Sequence, residues 1–152
     1  MKFAYRFFLF TLILLWCIGF LIEFLVPYIN EATIFVPFLK KTYSLVCHQE
    51  TQKLFAFGDA HSYVCVRCCG IYFGVLLSSF ISLFILIPNK TKITYLFFAS
   101  LPMLLDILFV GFNLYNYSKL ISFTTGLLLG SVGFFYLYKG LEDLISELKQ
   151  GK

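Results

Sequence analysis

The chain has 152 residues, of which 60% are hydrophobic, 20% are aromatic and only 13% are charged. Soluble domains contain about 25% charged residues, so this composition leaves too little polar surface to keep a folded chain in solution. The net charge of +4 is modest and includes no dense basic run, which argues against a nucleic-acid partner. The composition therefore predicts an integral membrane protein whose main partner is the lipid bilayer.

Four apolar segments are long enough to cross about 30 Å of hydrocarbon, which takes about 20 helical residues. They cover approximately residues 7–26, 70–87, 94–112 and 120–138. The sequence thus predicts an all-α membrane fold, a four-transmembrane-helix bundle that forms one domain over residues 1–152. The other predicted elements are a long Cys/His-containing first loop, residues 28–69, and a C-terminal amphipathic helix, residues 139–152.

The distribution of positive residues predicts the orientation in the membrane. No cleavage-site pattern follows the first apolar segment, so we expect it to be a retained helix. With four spans, both termini lie on the same side, which carries seven of the 12 Lys and Arg residues. The positive-inside rule then favours cytoplasmic termini and an exterior first loop.

Small residues recur at every fourth position on the second and fourth predicted helices. Such spacing lets two helix backbones approach closely in lipid. The residues concerned are Gly70, Gly74, Ser78 and Ser82 on the second helix, and Ser122, Gly126 and Gly130 on the fourth.

The long first loop carries its own structural signals. Thr33 and Pro37 predict the start of a short helix that ends at about Val46. Two short strands about a turn at Gly58-Asp59 are predicted next. Such a hairpin would return the chain so that Cys65 comes close to Cys47.

Four of the five cysteines and both histidines lie in this loop. Cys65 and Cys68 form a C-x-x-C pair, whose two-residue spacing places both sulfurs on one side of a tetrahedral metal. Cys47 is the predicted third ligand. We expect His48 rather than His61 as the fourth, because His48 adjoins a ligand whereas His61 lies near the turn. The predicted metal is zinc, with a redox dithiol or inert cysteines as alternatives.

Asp106 lies inside the third predicted span, where a charged carboxylate costs about 2.5–3.5 kcal/mol on insertion scales. Glu23, Arg67 and Asp106 all fall in the half of the membrane nearer the first loop. We therefore predict that these three residues contribute to catalysis at the cysteine site. The alternative is that Asp106 is a structural anchor paired with Arg67.

Several motifs together resemble a catalogued family of small bacterial membrane proteins, domain of unknown function 2085. The resemblance implies location in the bacterial inner membrane but no established activity. Two departures are Glu50-Thr51-Gln52-Lys53, where the family has a Pro and an Arg-Ser, and Ile107, where it has Gly. The matching motifs are Cys47-His48-Gln49, Phe57-Gly58, Val64-Cys65-Val66-Arg67-Cys68-Cys69-Gly70-Ile71-Tyr72-Phe73-Gly74, Pro102-Met103-Leu104-Leu105-Asp106 and Thr125-Gly126-Leu127-Leu128-Leu129-Gly130.

The sequence leaves three functions open, and with them whether the protein is an enzyme. The first is a zinc-dependent enzyme acting on a lipid or isoprenoid head group. The second is a membrane thiol-disulfide oxidoreductase that uses Cys65 and Cys68 with a quinone, although no second C-x-x-C pair exists to relay electrons. The third is a closed metal knuckle in a scaffold protein. Neither the substrate nor the oligomeric state follows from the sequence.

Overall fold

A computed structural model describes residues 3–25, 34, 36–57, 60–85 and 93–150. Four of its helices are long and apolar enough to cross a membrane, which confirms the predicted all-α membrane fold. The helices are α1 (Phe3–Phe20), α2 (Ile22–Leu25), α3 (Val36–Ser44), α4 (Val66–Phe84), α5 (Ile93–Gly111) and α6 (Lys119–Gln150). Three features used in the sequence analysis lie outside the described residues: Val26, Thr33 and the turn at Gly58-Asp59.

The central element of the fold is the parallel pair of α4 and α6, in which Gly70 lies against Phe123 and Gly74 against Leu127. These helices contact each other along most of their length, while α1 packs on α4 and α5 packs on α6. The predicted small residues lie in the central contact: a methyl group on Gly74 would collide with the carbonyl oxygen of Leu127, and one on Gly130 with that of Ile71. The prediction of close packing through small residues is therefore confirmed.

Several helix boundaries differ from those predicted. The first span begins at Phe3 and ends at Phe20, before a turn at Leu21, whereas residues 7–26 were predicted. Helix α4 begins at Val66, so Arg67 and Cys68 lie in its first turn rather than in the loop. Cys65, in extended conformation, occupies the position just before the helix, so the C-x-x-C pair spans the helix start. This boundary places both cysteines of the pair at a helix N-terminus.

The C-terminal segment is helical as predicted, but it is not a separate helix. Helix α6 has 32 residues and continues without a break through residue 139 to Gln150. A helix of this length measures about 48 Å, whereas the hydrocarbon layer is about 30 Å thick. No proline interrupts the segment, and the single Gly140 weakens a helix without ending it. The tail therefore continues the fourth predicted span as part of the same helix, rather than forming a second helix after it.

The first loop folds over the C-terminal end of α1. Its two strands, β1 (Leu54–Phe57) and β2 (Ala60–Cys65), pair antiparallel with Leu54 opposite Cys65, which confirms the predicted hairpin. Helix α3 is anchored by Tyr43, whose hydroxyl donates a 2.7 Å hydrogen bond to the carbonyl of Trp16 in α1. Tyr43 is 2% exposed and belongs to a buried cluster that includes Phe20. These contacts fix the end of α3, just before Cys47, relative to α1.

Substitution of glycine in α6 tests the central helix contact. Gly130→Ala should lower the free energy of unfolding by about 1–3 kcal/mol, because the new methyl group meets the backbone of Ile71. The measurement is reversible unfolding in mixed detergent micelles followed by circular dichroism. Gly133→Ala, in the same helix, is the matched control, since no heavy atom lies within 4 Å of the added methyl. Equal effects of both substitutions would contradict the packing described here.

Candidate metal centre

Three cysteines from different elements converge where the hairpin meets α4. Cys47 follows α3, Cys65 is the last residue of β2, and Cys68 lies in the first turn of α4. Their three sulfur atoms all lie within 4.8 Å of one another. The Sγ atoms of Cys65 and Cys68 are 3.4 Å apart. The hairpin thus brings Cys47 beside a pair that is 18 residues away in sequence.

A backbone donor contacts the Cys47 sulfur, and the surroundings of the Cys65 sulfur favour its thiolate form. The backbone N–H of Cys65 donates a hydrogen bond of 3.1 Å to Sγ of Cys47. The hydrogen bond between the Sγ atoms of Cys65 and Cys68 lowers the pKa of the Cys65 thiol to about 5, and burial opposes this shift. The position of Cys65 at the N-terminus of α4 acts in the same direction, because the helix dipole stabilises negative charge there. Thiolates are the form in which cysteine binds metals.

The three sulfurs fit the chemistry of a zinc ion. Zn–S bonds of about 2.3 Å in a tetrahedral site place sulfurs about 3.8 Å apart, close to the 3.4 Å between Cys65 and Cys68. Three soft ligands also exclude the hard cations Mg²⁺ and Ca²⁺, which take oxygen ligands. Cys47, Cys65 and Cys68 would therefore hold the metal and leave a fourth position.

A cleft of about 450 Å³ opens beside the three cysteines, which form part of its lining. His48 is exposed and lines this cleft, together with Glu50, Lys53 and Arg67. His61 lines a different recess, formed with residues such as Lys40 and Tyr63. Neither histidine belongs to the group of converging ligand atoms among the described residues. Of the two, His48 is the one that faces the space in front of the sulfurs.

The predicted carboxylate in the third span lies at the centre of a buried polar network. Asp106 is 4% exposed, so it faces the bundle as expected. Its Oδ2 accepts hydrogen bonds from Nη2 of Arg67, at 2.6 Å, and from Oγ of Ser122, at 2.8 Å. Its Oδ1 accepts a hydrogen bond from the Tyr115 hydroxyl. Both carboxylate oxygens are therefore engaged within the protein.

These contacts give Asp106 and Arg67 different relations to the cleft. Arg67 lines the cleft and also pairs with the carboxylate, whereas Asp106 lies behind it. The geometry therefore supports the structural alternative for Asp106, in which it holds the guanidinium in place. The side chain of Glu23 lies outside the described residues, so its predicted role stays a prediction.

The other two of the five cysteines lie apart from the candidate site. Cys17 and Cys69 are buried at 3% and 0% exposure and do not belong to the three-sulfur group.

Sequence reasoning missed Tyr115, for which the sequence carries no signal, and took Ser122 for a packing residue only. It also assigned no role to Gln49, whose side chain bonds two backbone carbonyls.

A family model described as a predicted membrane protein (DUF2085) matches residues 47–136, which is more than half of the chain. The chain belongs to the DUF2085 family. The DUF2085 match begins at Cys47 and includes the other two cysteines and Asp106, while α1 and α3 precede it. The resemblance seen in the sequence is thus confirmed.

A relative from Methanocaldococcus jannaschii, named Uncharacterized protein MJ1492, is 35% identical over 127 residues. The alignment covers 75% of this chain and 80% of that relative. No solved structure matches the chain. The comparisons therefore establish a membrane protein family, and the site itself has to supply the argument for function.

Neutralising the buried carboxylate tests the polar network. Asp106→Asn should lower the free energy of unfolding by about 3 kcal/mol, because it leaves the Arg67 charge without its buried partner. Detergent unfolding titrations measure this loss. Asp143→Asn, at an exposed position in α6, is the matched control and should change the stability by less than about 0.5 kcal/mol.

A double-mutant cycle separates the ion pair from the other contacts of Asp106. Adding Arg67→Met to Asp106→Asn should cost less than the sum of the two single changes, by about 1–3 kcal/mol. Additive losses would show that the two side chains do not interact as described.

Proposed function

We propose that this DUF2085 protein binds one zinc ion through Cys47, Cys65 and Cys68 and acts as a metal-dependent enzyme on a membrane-associated substrate. The observation that carries the proposal is the convergence of three sulfurs beside an open cleft. Catalytic zinc sites characteristically combine three protein ligands with one open position. When bound, such a zinc supplies a Lewis acid that polarises an oxygen or activates water.

The residues around the sulfurs have separate proposed tasks. Arg67, held by Asp106, would orient a polar or anionic group of the substrate in the cleft. His48 and Glu50 line the cleft and would serve as proton donor or acceptor; Glu50 also forms an ion pair with Lys53. The acid/base roles predicted for Asp106 and Glu23 remain proposals, with Asp106 acting through Arg67.

The proposed substrate is a lipid or isoprenoid head group. The cysteines lie at the N-terminal end of α4, a membrane-spanning helix, so the cleft would open at the level of the head groups. Apolar side chains of the preceding segment, Phe38, Leu45 and Val46, are exposed near the same end. Such residues suit a segment that contacts the interface.

A second candidate function is thiol-disulfide exchange, which the 3.4 Å separation of the Cys65 and Cys68 sulfurs favours. In this reaction the two thiols form a disulfide and pass two electrons and two protons to a quinone, which becomes a quinol. The presence of Cys47 as a third converging sulfur favours the metal instead, since a dithiol pair needs only two. The closed metal knuckle would require His48 to occupy the fourth position.

Metal analysis of reduced, detergent-purified protein tests the proposal. The wild type should contain about one zinc per chain, and Cys47→Ser, Cys65→Ser and Cys68→Ser should each abolish binding, because the two remaining sulfurs hold zinc poorly. Cobalt substitution should give thiolate-to-metal charge-transfer absorption. Cys17→Ser and Cys69→Ser are matched controls and should retain the metal.

The same preparations distinguish the alternatives. A metal-free protein whose reduced Cys65 and Cys68 thiols are oxidised to a disulfide by a quinone, with formation of the quinol, would overturn the zinc proposal in favour of thiol-disulfide exchange. Zinc that has His48 as a fourth ligand, and that is lost in His48→Ala, would identify a closed knuckle.

We further propose that the protein resides in the bacterial inner membrane with both termini in the cytoplasm. Seven positive residues on the terminal side, against five on the other, support this orientation. A reporter fused after Lys152 should be active in the cytoplasm, and one inserted between Gln52 and Leu54 should be active outside. The reverse pattern would invert the orientation and place the cysteines in a reducing compartment.

A further inference from the structure

The outer edge of β2, which is the edge that does not pair with β1, is covered by side chains rather than by another strand. Only β1 pairs with β2 in the described sheet. On β2, the backbone N–H of Cys65 donates to Sγ of Cys47, and the carbonyl of Tyr63 accepts a 2.9 Å hydrogen bond from Nε2 of Gln49. Alternate residues of a strand direct their backbone groups to the same edge. The segment that carries Cys47 and Gln49 therefore lies along this edge.

The spacing within Cys47-His48-Gln49 matches that arrangement. Cys47 and Gln49, two residues apart, both turn towards the strand and are buried or half-buried. His48, between them, is exposed and lines the cleft in front of the sulfurs. Fixing the residues on either side thus determines where the histidine is presented.

The side chain of Gln49 is held by two hydrogen bonds, and its backbone conformation is unusual for a glutamine. Its Nε2 also donates to the carbonyl of Lys40 in α3, at 3.3 Å, so one amide bridges α3 and β2. Its backbone has a φ of 49°, in the left-handed region that residues other than glycine rarely adopt. Such a conformation persists only when surrounding contacts impose it. The two hydrogen bonds of the side chain are contacts of this kind.

We propose that Gln49 is a positioning residue that clamps the Cys47 segment to the edge of β2 and thereby sets the distance from Cys47 to Cys65 and Cys68. This proposal rests on the proposed function, because the purpose of the clamp would be to complete the three-sulfur site. Its geometry is independent of which metal binds. Loss of the amide would free Cys47 from the pair at the start of α4, and His48 would lose its fixed place at the cleft.

The test uses arsenite, because trivalent arsenic binds three converging thiolates whether or not zinc is the native metal. The full-length protein in detergent is reduced, stripped of metal and titrated with arsenite. Gln49→Met keeps the length of the side chain but removes its donor, and Gln49→Gly also removes the backbone strain. Gln52→Met, at an exposed position in the adjacent turn, is the matched control.

Both Gln49 variants should bind arsenite about 10–100-fold more weakly than the wild type, as is usual when a partner that orients ligands is lost. X-ray absorption should show a decrease from three to two sulfurs around arsenic, a signature that a general loss of stability does not produce. Circular dichroism establishes that each variant is folded. If Gln49→Met does not fold, the comparison is made with Gln49→Gly.

Equal affinity and three sulfurs in a folded Gln49 variant would overturn the clamp. Failure of the wild type to bind arsenite through three sulfurs would also overturn it, because the sulfurs would then not converge. Binding of arsenite but not zinc by the wild type would instead sink the proposed function, while the variants would still decide the role of Gln49.

Discussion

The close backbone contact between α4 and α6 is the constraint on which the rest of the structure depends. Glycines on both helices allow carbonyl oxygens of one helix to touch the Cα atoms of the other. At the end of this contact, the carbonyl of Arg67 lies against Gly126, so the first turn of α4 is fixed on α6. Ser122 lies one turn further along the same stripe and reaches Asp106. Helix packing and the polar network are therefore parts of one interface.

The ion pair of Arg67 and Asp106 extends that interface to α5. A charge at the membrane boundary is tolerated when it has a partner, and here the carboxylate accepts hydrogen bonds from three side chains. Because Arg67 stands between Cys65 and Cys68 in sequence, the same pair connects the third span to the cysteine turn. A shift of α5 would therefore displace Arg67 and, with it, the cysteine turn at the proposed metal site.

The cysteine site combines features that suit both metal binding and redox chemistry. A helix N-terminus and a backbone donor favour thiolates, which are needed for either reaction. What distinguishes the two is Cys47, which the hairpin brings in from outside the C-x-x-C pair. The hairpin and its Gln49 contact thus matter more for the choice between functions than the pair itself, which by its spacing alone suits both.

The sequence by itself determined the membrane class, the four spans, the hairpin and the family, because hydrophobic length, turn residues and motif spacing are local properties. It also identified Cys47, Cys65 and Cys68 as a group. Only the tertiary structure decided the partners of Asp106, the separation of His48 from His61 and the bridging role of Gln49. It likewise decided that α4 begins at Val66 and that α6 is one continuous helix of 32 residues. These features depend on groups brought together from distant parts of the chain, or on where a helix stops being favoured, and neither is encoded in local spacing.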